Sequence, residues 1–587
     1  MPRRSILREH EIQSYPPAAG GQKRQRIGRR ILSAVCLLSA LPLTLAAAPN
    51  CTIGHSLSDN ELLSIRPQKL ASTLTLDQLF AIEQISVFRQ DIFVKPKSPI
   101  YRRLNEWHPS TKTSTILSSL PFSQGDLIDQ ALVDEAERIL RGLPYFYDAR
   151  ILVRRTCAGS ADLDIVVREV WTLTPDMSFS REGGDNKYRF GVADTNWRGT
   201  GKALSLTYEQ KPREKQVELK YKDHARQDKW LRSLSVEFGS NAYRYALSFG
   251  KPFLATTTKD AKGFSASSAR FPTKLYQRSE ELTRFDSMTK KARLFHARAL
   301  QRAQHGSRYA RTYVGIQYLS EYVQAAFIDG QRVFAEEDAK FIYPFVAWES
   351  SSNRFAKLPH TSHYGRDEYF NLGWNTYVEL GYGLPALGAN DKSIHLQYRL
   401  GRHWLIRDQH IASARLDVTG RFVKNTLHPE NLVSNLNAEY LHSFKPESKV
   451  YFSLDLTHGR NLDHANFFDI GGESGMRGYR NHFQTGSRRY MLVAEYRHDT
   501  SLKPLNLFAM GFVAFAEAGR AWFSAAPVPW QNIDQKKLLQ NVGIGLRLHS
   551  LRTGSDQTIH IDFARPLTHH RPGSAYELSF TVRKQLL

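Results

Sequence analysis

The sequence predicts a transmembrane antiparallel β-barrel of about 16 strands behind a small N-terminal α+β domain. Three observations carry that expectation. After residue 48 there is no run of about 18 apolar residues, so no helix of the remaining chain is expected to cross a bilayer. From Tyr188 to the end, short segments alternate apolar and polar side chains between turn residues. Aromatic residues make up 11% of the chain, yet its mean hydropathy is −0.44. A closed barrel reconciles the last two, because its backbone groups pair around the ring and its lumenal positions are polar.

Residues 1–48 have the order of a secretory signal. The basic stretch Lys23–Arg30 precedes the apolar run Ile31–Ala48, which Pro42 interrupts and Ala46-Ala47-Ala48 ends. The same run is about long enough to serve as an uncleaved anchor, which is the competing reading. These residues carry eight Lys/Arg and two Asp/Glu, so removing them lowers the formal charge from +23 to +17. Export excludes nucleic acid as the partner of that charge. Lipopolysaccharide and phospholipid head groups are the expected counter-charges, with a solvated basic lumen as the alternative. Of three cysteines, Cys36 lies in the signal. Cys51 and Cys157 remain, in an oxidising compartment, either as a disulfide tying the mature N-terminus to the next domain or as two thiols. No spacing suggests a metal site.

Residues 49–80 are polar and mixed and read as a leader. Residues 81–174 change character. Ala81–Val94 alternates as a strand, and Ser98–His108 can form a helix. Asp126–Leu143 is a stronger helix, with Leu132, Ala136, Ile139, Leu140 and Leu143 at helical spacing and Gly142 with Pro144 ending it. Asp148–Gly159 and Ala161–Leu173 form an alternating hairpin. The order is strand, helix, helix, strand, strand.

Residues 175–587 form the barrel. Strand patterns open at Tyr188–Trp197, Lys202–Gln210, Lys215–Asp223, Arg232–Ser240 and Tyr243–Phe253. They are clearest at the end. In Asn541–Ser550, Val542, Ile544, Leu546 and Leu548 face one way and Gly543, Gly545, Arg547 and His549 the other. Thr558–Leu567 and Tyr576–Lys584 repeat that alternation. Counting gives 16 or 17, and single-chain closure favours an even number. Residues 254–305 are too polar and basic for strands throughout and are expected to contain a long loop. A soluble β-sandwich is disfavoured, since the evenly spaced strands run on for some 400 residues.

One segment breaks the alternation: GGESGMRGYR, Gly471–Arg480. It is followed by Met491–Asp499 (MLVAEYRHD), by Phe515-Ala516-Glu517-Ala518-Gly519, and by the last strands GIGLRL and IDFARPL. YRFGVADTNWRGTGKALSL, Tyr188–Leu206, stands at the start of the barrel. This order resembles the BamA/TamA-like outer-membrane assembly and translocation superfamily. The likeness is to a single polypeptide-transport-associated (POTRA)-like domain in the periplasm before a surface-antigen-type barrel in the bacterial outer membrane. It covers most of the mature chain. It implies that Met476-Arg477-Gly478-Tyr479 tips an extracellular loop that folds back into the lumen.

Phe515, Glu517 and Gly519 share one strand face. Arg477 carries a permanent charge and a planar fork of donors, so inside a lumen it requires an acid. The expected partner is Glu517, held bidentately, with the guanidinium over Phe515. Gly478 would let the tip turn tightly, and Gly471, Gly472 and Gly475 would let the loop fold back. The competing reading of Arg477 is an exposed loop arginine. The chain departs from the family in three ways. It has Glu517 where Asp is more frequent, it ends Lys584-Gln585-Leu586-Leu587 rather than on an aromatic residue, and it shows no plug helix in 49–80.

No catalytic constellation, cofactor motif or phosphate-binding loop stands out, and no enzyme is expected. Thr568–Pro572 (THHRP) reads as a solvated outer loop rather than a metal site. The resemblance implies a chain that docks unfolded outer-membrane or secreted polypeptide on its POTRA-like domain, where a further periplasmic partner could also bind. The barrel would pass the client outward or open between Tyr188–Trp197 and Tyr576–Val582. The alternatives are a lipid-handling barrel or passive pore without a protein client, and a surface-exposed binding protein.

Overall fold

The computed structural model describes residues 51–584 except 71–73, 94–97, 213, 225–229, 302–307, 353, 360–366, 408, 424–427, 464–465, 505–506, 525–536, 552–556 and 569–574. The expected signal, Val94, most of the Thr568–Pro572 segment and the last three residues lie outside the described residues.

The N-terminal unit is a sheet with helices on it. Its strands are β1 (Cys51–Ile53), β2 (Phe80–Gln90), β3 (Leu127–Ile128), β4 (Phe146–Cys157) and β5 (Ser160–Glu169), and its helices are α1 (Asp59–Ser64), α2 (Pro99–Trp107), α3 (Thr113–Ser118) and α4 (Gln130–Arg141). The sheet order is β1-β4-β5-β2-β3, with only β2 and β5 parallel. Helix α4 starts where the Asp129 carboxylate accepts from the Leu132 amide at 2.9 Å and ends at Gly142. It buries Val133, Ala136 and Leu140 against Ile151, Leu163 and Ile165. Residues Ala158 and Gly159, both at positive φ, make the tight turn of the β4–β5 hairpin.

The expected leader is part of this domain. β1 is an edge strand on β4, and Leu62 and Leu70 pack on Leu152 and Val166. A strand of three residues and a helix of six are too short for periodicity to reveal. Cys51 pairs with Cys157 in a disulfide between β1 and β4.

Twenty strands, not about 16, close the barrel. The first nine are β6 (Leu173–Glu182), β7 (Asp185–Asp194), β8 (Lys202–Lys211), β9 (Glu214–Asp223), β10 (Leu231–Gly239), β11 (Tyr243–Lys251), β12 (Asp260–Gln277), β13 (Glu280–Gln301) and β14 (Arg308–Val323). A ribbon, β15 (Ala326–Ile328) with β16 (Gln331–Phe334), leads to barrel strand β17 (Glu337–Ser352). A second ribbon, β18 (Phe355–Pro359) with β19 (Asp367–Asn371), precedes β20 (Asn375–Tyr382), β21 (Ser393–Arg407), β22 (His410–Val423), β23 (His428–Lys445) and β24 (Ser448–Arg460). After a third ribbon, β25 (Phe468–Ile470) with β26 (Gln484–Gly486), come β27 (Arg488–Asp499), β28 (Phe508–Trp522), β29 (Leu539–Ser550), β30 (Gln557–Pro566) and β31 (Glu577–Lys584).

The strands missing from the sequence reading are β6, β12 and β13. Residues 254–305 are thus mainly a hairpin, not a long loop. Its outward positions carry few large apolar residues, so the alternation is faint. In β6, Pro175 breaks the strand signature. The barrel therefore begins one strand earlier than Tyr188–Trp197, and its seam joins β31 to β6 rather than to that segment. Along the strands, one face exposes apolar residues such as Phe190, Leu206, Val346, Ile544 and Leu578, as a lipid-facing wall does.

Candidate functional site

The loop between β24 and β27 turns inward. Its tip buries Met476, Arg477 and Tyr479, with Arg477 only 5% exposed. Gly475 takes φ +105°, a conformation open to glycine at little cost, and makes the turn. Gly478 has no positive φ. It is required because a Cβ there would lie 2.7 Å from the Asn541 Cβ on β29. The expected turning role of Gly478 therefore belongs to Gly475.

Arg477 meets the inward face of the last strands. Its Nε–H donates to Glu517 Oε1 at 2.5 Å, and its backbone N–H donates to Glu517 Oε2 at 2.8 Å. Its Cζ stands 3.5 Å from the Phe515 ring centroid. The expected two-pronged guanidinium contact with Glu517 is not what forms. One guanidinium nitrogen donates instead to Glu495 Oε1 at 2.7 Å, and another lies 3.7 Å from Asp562 Oδ2. The reason is geometric. Strand pairing sets Glu495 opposite Phe515, so the fork reaches a second acid on β27 while its stem faces β28.

The acids have further partners. Arg497 Nε donates to Glu495 Oε2 at 2.8 Å, and Arg547 Nη1 donates to Asp562 Oδ1 at 2.7 Å. Three arginines and three carboxylates thus form one charge-balanced network, buried except at Arg497, which is how charges survive out of water. Asp562 and Glu495 stand in the IDFARPL and MLVAEYRHD segments. Their inward parity was the available signal, but which inward acids surround one arginine depends on register.

The remaining expected residues fall around the tip. Gly519 faces Ile470, and Gly472 packs on Gly183. The Tyr479 hydroxyl, with one proton to donate, sits between the carbonyl oxygens of Thr568 at 2.5 Å and Gln540 at 2.8 Å. Gly543, paired with Phe515, leaves room for that ring, where a Cβ would overlap it.

The base of the loop holds the seam. Among the described residues β31 meets β6 through a single residue pair, Phe580 with Arg181. Beside it, the Gly184 amide donates to Glu577 Oε1 at 2.8 Å. The Asn481 amide donates to the Gly183 carbonyl at 3.0 Å, and Lys187 pairs with Glu473. The first hairpin of the barrel is therefore tied both to the last strand and to the inward loop. From across the mouth, Tyr276 near the tip of the β12–β13 hairpin stacks on His482 at 3.9 Å.

At the other end the α+β domain docks on the barrel. Asn196 Nδ2 donates to Thr111 Oγ1 at 2.8 Å, and the Lys112 amide to the Gly199 carbonyl at 2.9 Å. Arg141 of α4 donates to the Tyr369 hydroxyl at 2.5 Å, and Arg138 lies 4.3 Å over Phe355, both on the β18–β19 ribbon. Nothing in the sequence marked that ribbon. Above it, a cavity of about 790 Å³ is lined by Arg293, Tyr313, Glu349, Tyr377, Arg402 and Glu439.

The Omp85 superfamily domain matches residues 196–582 of the chain. Among solved structures, CdiB from Acinetobacter baumannii is similar at 12% identity and TM-score 0.40, over 86% of this chain and 74% of that one. CdiB from Escherichia coli is similar at 11% identity and TM-score 0.46, over 86% and 76%. BamA from Haemophilus ducreyi lacking POTRA domains 1–3 is similar at 12% identity and TM-score 0.38, over 85% and 84%. No curated protein matches.

Proposed function

The chain belongs to the Omp85 superfamily of outer-membrane β-barrels, and from that membership we propose that it handles polypeptide clients, inserting them into the outer membrane or passing them through it. The α+β domain acts as a POTRA-like docking module on the periplasmic side. β3 pairs with β2 only at Phe80 and Ala81. Among the described residues no strand covers that edge from Gln84 to Phe88, so an unfolded segment can add there as a strand. Docking and transfer of this kind require no catalytic step from the chain.

The observation that carries the proposal is the seam. Among the described residues most neighbouring barrel strands share eight or more residue pairs, whereas β31 and β6 share one. A wall so thinly closed can part at little cost, and the Asn481–Gly183 contact gives the inward loop a hold on it.

The test compares outer-membrane and surface proteins in cells with the chain, without it, and with Arg181→Cys/Phe580→Cys, which places a crosslink across the seam. Single-cysteine chains serve as controls. A specific protein set is lost on deletion and on crosslinking, but not in the controls. An unchanged protein profile with altered lipid composition or small-solute leakage overturns the proposal in favour of a lipid-handling barrel or pore.

A further inference from the structure

On the outer wall, near the end of the barrel that carries the α+β domain, two lysines face each other. Lys251 near the end of β11 is the direct cross-strand partner of Lys262 near the start of β12. Both share the strand face of Phe249 and Phe264, which are 41% exposed, so both point toward the bilayer side of the wall. Like charges directly opposite on one sheet face repel. Their ammonium groups lie 5.2 Å and 5.5 Å from the centroid of one ring, Trp230. Among the described residues no carboxylate lies within 4 Å of either amine.

Trp230 itself is stacked flat on Phe249, with centroids 4.2 Å apart and planes 6° apart. Arg232, the cross-strand partner of Phe249, places its guanidinium 5.7 Å from that ring. Arg232 already has an acid, Asp223, at 3.5 Å. The outward neighbour of Lys262 on β13 is His296, not an acid. Further along the same face, Leu247, Phe264 and Leu294 form the apolar wall. The cluster therefore lies where that wall meets water, with a stacked aromatic pair of the kind that prefers the headgroup level.

We propose that Lys251 and Lys262, held over Trp230, bind the phosphate of an anionic glycerophospholipid in the leaflet on the α+β-domain side. The pairing is chemical. Two ammonium groups at adjacent positions form a cleft for one phosphodiester, and the phosphate relieves their mutual repulsion. The Trp230–Phe249 stack offers a flat apolar surface to the glycerol and the first acyl carbons. A lipid satisfies both halves, whereas a free anion satisfies only the first.

The full chain, purified in an uncharged detergent, is mixed with dioleoyl phosphatidylglycerol or dioleoyl phosphatidylcholine, and retained lipid is counted by native mass spectrometry. Lys251→Gln/Lys262→Gln should weaken phosphatidylglycerol retention about thirtyfold, at about 1 kcal/mol per lysine near an anionic lipid and 1.4 kcal/mol per decade. Lys251→Arg/Lys262→Arg should keep it, phosphatidylcholine should be indifferent to all variants, and inorganic phosphate should fail to compete. Circular dichroism certifies the barrel, and Lys262→Gln alone provides the comparison if the double variant does not fold. Equal phosphatidylglycerol retention by the wild type and the folded glutamine variant overturns the proposal. So does effective competition by inorganic phosphate, which would make the cluster a general anion site.

Discussion

Replacing Arg477 by alanine should release the inward loop. The side chain removed serves Glu517 at 2.5 Å, Glu495 at 2.7 Å and Asp562 at 3.7 Å, in a site where all four side chains are at most 10% exposed. Glu495 and Asp562 keep Arg497 and Arg547, but Glu517 loses its only guanidinium contact among the described residues. Leaving a buried charge unpaired costs about 3–5 kcal/mol. Since the tip is a local element, that cost appears as tip opening rather than as loss of the barrel. The open population should rise by roughly two to three and a half decades at 1.4 kcal/mol per decade. Tyr479 is 3% exposed when the tip is docked, so chymotryptic cleavage after it reports the open state. Arg477→Ala should accelerate that cleavage by about those factors. Adding Glu517→Gln should recover part of the loss, because the unpaired charge is then removed. Arg477→Lys should fall between, since a point charge cannot replace the planar fork. Unchanged cleavage in Arg477→Ala, or fully additive effects of the two substitutions, would refute the account of the tip as an electrostatic lock.

Gly543→Ala should weaken the same lock without touching a charge, because its methyl displaces the Phe515 ring from beneath the guanidinium; overpacking of this kind costs about 1–3 kcal/mol, and the same cleavage assay reads it. Cys157→Ser should destabilise the α+β domain by up to about 4–5 kcal/mol, since the bond closes a loop of 106 residues, and early proteolysis should begin near β1. Acidification should loosen the contact of that domain around His108. Burial pushes the Glu169 carboxyl up, but the His108 ring 3.5 Å away and the Thr111 hydroxyl and amide outweigh it and hold it below the ordinary glutamate range. A depressed carboxyl stabilises the fold above its unfolded value and loses that contribution as pH falls through the folded value. Trp171, whose ring lies 5.9 Å from His108, should therefore change its fluorescence on acidification below about pH 4.5, and Glu169→Gln should flatten that transition.

The sequence was most readable where one strand face meets lipid and the other a polar lumen. There, alternation is compulsory, and segments such as Val542–Leu548 and Ile559–Phe563 announce themselves. It was least readable where that contrast weakens. The hairpin β12–β13 has small, polar or charged residues at most outward positions, β6 contains Pro175, and the stretch before residue 80 contributes only short pieces to a sheet built elsewhere. The inward loop was visible because four glycines around an arginine interrupt an otherwise regular pattern. Its acid on β28 could be named because Phe515, Glu517 and Gly519 must share a face.

What the sequence alone determined is therefore local: strand period, the glycine-rich break, the class of residue on each face, and the pair of cysteines. Those follow from backbone geometry and from the solvent each face must meet. Only the tertiary structure decided how many strands close the ring, that β6 rather than β7 meets the last strand, and that Arg477 is shared among three acids from three different strands. It also decided that Asn481 grips Gly183 and that Lys251 stands opposite Lys262. These are matters of register. A shift by one residue reverses every side chain across the wall, and no single strand carries the information that sets its neighbour's position.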